Sequence, residues 1–372
     1  MENRRRTKEP TYGTKKKGGA KALVIVLLLL IVVAGIMLTL KMFNKDEIEV
    51  ANNQNSEAPQ KVDEPQVQIV DVNSKTRPYA VMINNNHAAW PQCGLQDAYL
   101  VYEIIAEGGI SRMMALYKDT YPTKVGSVRS ARHYFIEYAE ENDAIFIHWG
   151  GSPQAYSKLS QGINSLDGIA LEGSMFFRDK SLNRAYEHTG FVDLEKAKTY
   201  AAEKGYTRDA KKDLLLNYSA KEIDLSTNES LQVADSVELE YSDYHTTSYE
   251  YDKENKVYKR SMSGKANVDL ETGEQYTAKN IIVYKVRNYT LNDGENKGRQ
   301  ELENVGSGTG YYITNGQAVS ITWEKTSESS QTVYKYSNGQ EITVNDGNTF
   351  IQILPINGEI EIEENDTETE NV

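Results

Sequence analysis

Residues 102–117 read YEIIAEGGISRMMALY, residues 125–135 read VGSVRSARHYF, and residues 144–153 read AIFIHWGGSP. Two apolar runs, 100–106 and 110–117, flank Gly108-Gly109. That is a hairpin signal, because the tight two-residue turns need positive φ at their centre. A two-residue turn sets Ile104 opposite Met113 and Tyr102 opposite Ala115. Glu103, Glu107 and Arg112 then gather on the other face of the ribbon. Next comes a helix over 130–141, started by Ser130, with Tyr134, Phe135 and Tyr138 on one side. A buried strand over 144–148 follows. Gly150-Gly151 leads to Ser152 as N-cap and Pro153 at the first helical position. Strand, helix, strand and helix in this order predict a mixed α/β unit.

Outward from this stretch, Arg77-Pro78 opens the folded part and 79–83 reads as a strand ended by Asn84-Asn85-Asn86. Phe176-Phe177 reads as a short strand end, and Asp193 caps a helix running to about Lys204. From about residue 235, short runs rich in Tyr, Val and Ile alternate with turns. Asn315-Gly316, Asn338-Gly339 and Asp346-Gly347 read as hairpin turns. The expected class is α+β. A mixed α/β part over 77–215 is followed by a mainly antiparallel β part over 230–356. Residues 357–372 carry seven acids and no base, and are expected to be a disordered tail.

Charge divides the chain. Residues 1–21 hold eight basic and two acidic side chains, whereas the whole chain is at −13, so the remainder stands near −19. A surface that acidic excludes nucleic acid as a general partner, which needs a basic footprint. Residues 22–40, ALVIVLLLLIVVAGIMLTL, are nineteen uncharged residues, enough to span a bilayer as a helix. The basic flank before them keeps the N-terminus cytoplasmic and sends everything after Lys41 outward. Residues 41–76 are polar with isolated apolar residues and read as a disordered tether. Cys93 is the single cysteine, so an internal disulfide is excluded and thiol metal chemistry is disfavoured.

The segments RPYAVMINN, YEIIAEGGISR, VGSVRSAR, HWGGSP, FFRD, GSGTGYYITNG and ITWEK, in this order, resemble the YerB-type family of bacterial extracytoplasmic proteins. The resemblance spans about residues 77–355. It implies a mixed α and β fold, attachment to the membrane of a Gram-positive cell, and a link to cell-envelope synthesis. It implies no reaction. The apolar segment 22–40 departs from the lipoprotein members, and Cys93 stands where the family commonly has a small residue such as Ser.

The candidate cleft collects Glu103, Glu107, Arg112, Arg129, Arg132, His148, Gly150, Gly151, Ser152, Arg178, Asp179 and His188. Guanidinium forks beside helix starts favour an anion. The same arginines could instead pair with Glu103, Glu107 or Asp179 and serve the fold alone. Glu103 and Glu107 could act as an acid–base pair on a glycan, although their spacing along a strand is wide for it. His148 and His188 could hold a metal with an acid, but no tight ligand spacing is present. No G-x-S-x-G elbow occurs. Trp90, Trp149 and Trp323 are candidate stacking faces, with core packing as the default. The sequence therefore reads as a non-catalytic binding or accessory factor of peptidoglycan synthesis, needing no cofactor. Its partners would be the membrane, through one helix, and a cell-wall polymer or synthesis protein. The alternative is a cell-wall hydrolase or transferase using Glu107, His148 or His188.

Overall fold

The structure is a computed structural model that describes residues 65–365. The segments 1–21 and 22–40, and most of the 41–76 tether, lie outside the described residues. Among the described residues no helix is long and apolar enough to cross a membrane. Strand outweighs helix by 41% to 14%, so the fold is more β than the α+β expectation implied.

One large mixed sheet organises the described residues. Its strands are β1 (Tyr79–Ile83), β2 (Leu100–Ile105), β3 (Ser111–Tyr117), β4 (Ile145–His148), β5 (Ser165–Asp167), β6 (Gln232–Val233), β7 (Asn280–Val286), β8 (Gly306–Thr314), β9 (Gln317–Lys325), β10 (Val333–Tyr336) and β11 (Thr349–Pro355). Their order is β6-β9-β8-β7-β11-β2-β3-β1-β4-β5, with β10 beside β9. Strands from before residue 215 and after residue 230 therefore share one sheet. The join is parallel on both sides of β11, with Tyr102 opposite Ile351 and Tyr284 opposite Ile353. A smaller antiparallel sheet contains Ser236–Ser242, His245–Asp252 and Val257–Met262.

Side chains alternate across the large sheet, and each set has its own core. Tyr79, Val81, Val101 and Ala115 face the smaller sheet through Leu239, Tyr249 and Tyr258. Ala80, Met82, Tyr102 and Met114 face the helix α1 (His133–Glu141) through Phe135 and Tyr138, and continue into Tyr284 and Tyr312.

Local signals placed most elements well. Ser152 accepts from Ala155 N at the start of α2 (Pro153–Leu159). After the single turn α3 (Gly168–Leu171), Asp193 accepts from Lys196 N at the start of α4 (Leu194–Glu203). Asn315-Gly316 makes the β8–β9 hairpin, with Thr314 opposite Gln317. Four expectations need correction. The helix α1 starts at His133, not Ser130, and its N-cap is Arg132 with no side-chain cap bond. Asp346-Gly347 turns the chain between strands of different sheets and closes no hairpin. The tether is ordered well before residue 77, because Asp346 accepts from Gln68 N and Ile69 N and Val70 is buried. The acidic tail begins with a strand, Glu359–Glu363, paired antiparallel with Ser236–Ser242.

The register of β2 and β3 also differs. Ile104 faces Arg112, and Glu103 faces Met113. The turn holds three residues, Glu107–Gly109, with Ala106 N bonded to Ile110 O at 2.8 Å. Both glycines have the positive φ that the sequence demanded, 68° and 73°. One extra loop residue shifts the pairing by one, and a one-residue shift sends a side chain to the opposite face. Glu103 and Arg112 therefore point to opposite sides of the sheet.

Candidate functional site

A cleft of about 340 Å³ opens where the β2–β3 loop, the entry to α1 and the start of α2 meet. Glu107, Arg112, Arg129, Arg132, Gly151 and Ser152 line it, as do Asn84, Asn86, Lys297 and Arg299. Glu107 is its internal anion. Its carboxylate is bonded by Arg132 Nε and lies 3.3 Å from Arg112 Nη2. Burial alone would raise the Glu107 carboxyl, but Arg112 and Arg132 outweigh it and hold it below its ordinary value. It is a poor general acid and a good anchor. Arg112 also donates to Ser130 O at 2.5 Å. Arg299 is taken up by Asp293 at 2.5 Å and Glu295 at 2.8 Å, and Lys297 lies 2.8 Å from Glu295.

Arg129 differs from these neighbours. Among the described residues its side chain makes one hydrogen bond, a long one from Nη1 to the Glu187 carbonyl at 3.4 Å. Among the described residues it has no carboxylate within ion-pair distance. Burial is the largest influence and lowers its pKa; Glu187 pulls it back up, and a smaller repulsion from Arg132 adds to the lowering. It is a half-buried cation without an ion pair among the described residues.

The remaining candidates lie elsewhere. Glu103 is fully buried on the far face of the sheet, with Arg260 Nη2 at 2.7 Å. His148 is buried; its Nδ1 donates to Gly150 O at 2.8 Å and its Nε2 has no hydrogen-bond partner among the described residues. Gly150 spends its N–H on Asp167 and its carbonyl on Ala131 N and His148. Arg178 is held between two rings, 4.2 Å from the Trp149 centroid and 3.7 Å from that of Tyr186. Asp179 pairs with Lys124 at 2.9 Å. His188 stands behind the cleft wall, where its Nδ1 accepts from Asn84 Nδ2 at 2.9 Å. Burial, followed by Arg129, lowers the His188 pKa and favours the neutral ring.

Two family models match the sequence. They are the N-terminal domain of a protein of unknown function (DUF3048), over residues 67–207, and its C-terminal domain, over residues 237–351. A protein of Bacillus subtilis (strain 168), named "Putative lipoprotein YerB", is 31% identical over 287 residues, covering 76% of this chain and 82% of that one. The chain belongs to the DUF3048 family. The crystal structure of YerB from Bacillus subtilis superposes with a TM-score of 0.66 at 30% identity, over 77% of this chain and 94% of that one.

Within this DUF3048 chain the cleft draws on both family segments. Lys297 and Arg299 come from the second, in a polar loop between Asn288–Thr290 and Gln300–Leu302. That loop, LNDGENKGR, carries turn residues and no periodicity, so the sequence offered only a pair of cations in an acidic chain. Asn84 and Asn86 read as a strand terminator, and nothing local marked them as cleft residues.

Proposed function

We propose that this chain is a membrane-attached, extracytoplasmic binding protein that takes an anionic group of the cell envelope in the Arg112–Arg129–Arg132 cleft, without turning it over. Its place would be beside peptidoglycan synthesis, as an accessory factor. The basic flank and the apolar segment 22–40 support outward membrane attachment, and so does the lipoprotein name of the Bacillus subtilis relative. The observation that carries the binding role is Arg129, whose guanidinium fork meets no carboxylate among the described residues while Arg112, Arg132 and Arg299 are paired. A half-buried guanidinium fork without a carboxylate partner favours a bidentate oxyanion.

Phosphate titration followed by thermal melting tests the reading. Wild type should gain stability with phosphate, since a ligand that binds only the folded state stabilises it by mass action. Arg129→Lys keeps the charge and loses the fork. It should weaken phosphate roughly tenfold or more, the worth of one charge-assisted bond of about 1.5–3 kcal/mol. No phosphate-dependent shift in wild type, with a large fall in melting temperature for Arg129→Ala, would leave the arginine a purely structural residue.

A further inference from the structure

The cleft has an aromatic neighbour that anion binding leaves unused. His87 and Trp90 come from the turn after β1, and Tyr244 from the turn between Ser236–Ser242 and His245–Asp252. His87 lies between the other two rings. Its centroid is 4.3 Å from Trp90, tilted by 38°, and 4.4 Å from Tyr244 at 15°. Tyr244 keeps 46% of its surface exposed, and His87 and Trp90 are half-buried. The set is held firmly. Trp90 Nε1 donates to Asn85 Oδ1 at 3.1 Å, and Asn85 is itself buried against Glu103. Ser242 Oγ donates to Gly109 O at 2.6 Å and accepts from Tyr244 N.

These rings share two segments with the cleft wall. Asn86 lines the cleft and caps the turn that carries His87. The loop that supplies Glu107 and Ile110 to the cleft packs Gly109 against Ser242 and Tyr244, where an added Cβ would stand 2.8 Å from Ser242 Oγ and 3.7 Å from Tyr244 Cβ. Core packing accounts for the other two tryptophans. Trp149 is covered by Gly168, Gly190 and Arg178, and Trp323 is buried. It does not account for an ordered ring with nearly half its surface in water.

We propose that the cleft and the aromatic set form one composite site for an acidic saccharide. The C–H face of a pyranose stacks on Tyr244 or Trp90, and its carboxylate or phosphate meets Arg129. This rests on the anion-binding reading of the cleft. A pyranose presents an apolar C–H face and polar edges, and the negative face of an aromatic ring attracts those C–H groups. Asn86, Ser130 and Glu107 offer polar atoms at the cleft for hydroxyls. A planar base gains most from a slot between two rings, and here His87 already fills that slot. A sugar needs only one open face. Burial, with repulsion from His245 and Lys265, lowers the His87 pKa and leaves the platform uncharged near neutral pH.

Calorimetric titration of the full chain in detergent tests this, with glucose 6-phosphate, glucuronate, glucose, inorganic phosphate and UMP as probes. The two acidic sugars should bind wild type at least tenfold more tightly than glucose, and glucose 6-phosphate at least tenfold more tightly than inorganic phosphate. Tyr244→Ala should bring the ratio of glucose 6-phosphate to phosphate affinity close to one, whereas Tyr244→Phe should preserve it. Equal affinity of wild type for phosphate and glucose 6-phosphate overturns the composite site and leaves the anion cleft standing. So does a preference that persists in Tyr244→Ala. Tighter binding of UMP than of either sugar overturns the saccharide class. Absence of any phosphate binding overturns the cleft reading itself.

Discussion

Glu103 and Arg260 are both fully buried, and their contact of 2.7 Å spans 157 positions of sequence. A buried carboxylate is tolerated only when its lone pairs are met. Ser111, Asn85, Thr247 and His245 meet them, at 2.6, 3.0, 3.1 and 3.1 Å. Burial pushes the Glu103 carboxyl up, but Arg260 and the bonds from His245 and Ser111 prevail and hold it well below the ordinary carboxylate range. Glu103→Gln leaves the Arg260 charge uncompensated and should cost about 3–5 kcal/mol. Pairing it with Arg260→Met should return part of that loss. The sign with pH follows from the depressed native pKa. Glu103 contributes stability above its unfolded pKa, and that contribution fades as pH falls below the ordinary carboxyl range toward the native value. Urea midpoints at pH 7 and pH 3 check both points. The drop on acidification should be smaller in Glu103→Gln than in wild type, and an equal drop would remove Glu103 from the acid response. The sequence marked Glu103 as a polar residue on an apolar strand but assigned it to the cleft. With a side-chain period of two, one extra residue in the Glu107–Gly109 turn was enough to place it on the wrong face. Arg260 carries no local signal at all, because it meets Glu103 only through packing of the two sheets.

At the scale of elements, what was legible obeys short-range rules. A cap bonds two or three residues ahead and a tight turn closes over four, so Ser152, Asp193 and Asn315-Gly316 could be read from their neighbours alone. Composition misled at the C-terminal end. Residues 359–363 are EIEIE, and pairing with Ser236–Ser242 turns Ile360 and Ile362 toward the core while the acids face away. Alternation outweighed net charge there, since a strand needs only one apolar face. Partners across a sheet follow no such local rule, and the close fit of β8 on β7 shows the consequence. A Cβ on Gly310 would stand 2.4 Å from Val283 O and 2.9 Å from Tyr284 Cβ. The first obstacle is backbone inside a paired ladder, which cannot swing aside as a side chain can. Gly310→Ala should therefore part the two strands and cost about 1–3 kcal/mol, the usual range for overpacking. Circular dichroism melting should show a fall of several degrees, and a melting temperature within a degree of wild type would mean that β7 and β8 yield more easily than this geometry implies.

The sequence reads as two successive parts, 77–215 and 230–356, near the family segments 67–207 and 237–351, yet the large sheet of the described residues draws strands from both. The strand order explains why. β11, formed by residues 349–355, lies in the middle of the large sheet with β2 on one side and β7 on the other. No local pattern in 349–355 could announce this, because the run is apolar on both faces and both parallel partners are far away in sequence. Without β11, β2 would present an unpaired edge from Leu100 to Ile104, and Phe350, Ile351, Ile353 and Leu354 would be missing from the two cores. Long buried apolar edges are aggregation sites rather than stable surfaces. A chain ended at residue 348 should therefore fail to fold, although it retains nearly all of both family segments. A chain ended at residue 365 should melt like the full chain, since it keeps every strand of the described residues. Residues 1–230 alone should lack a cooperative urea transition. Co-expression of 1–230 with 231–372 should restore one, because β11 would then dock beside β2 from a separate chain. Purification of the pair through a tag on one half, followed by urea unfolding, decides the matter. A cooperative transition for 1–230 by itself would show that the first half closes its own core, and that β11 adds to a sheet already stable without it.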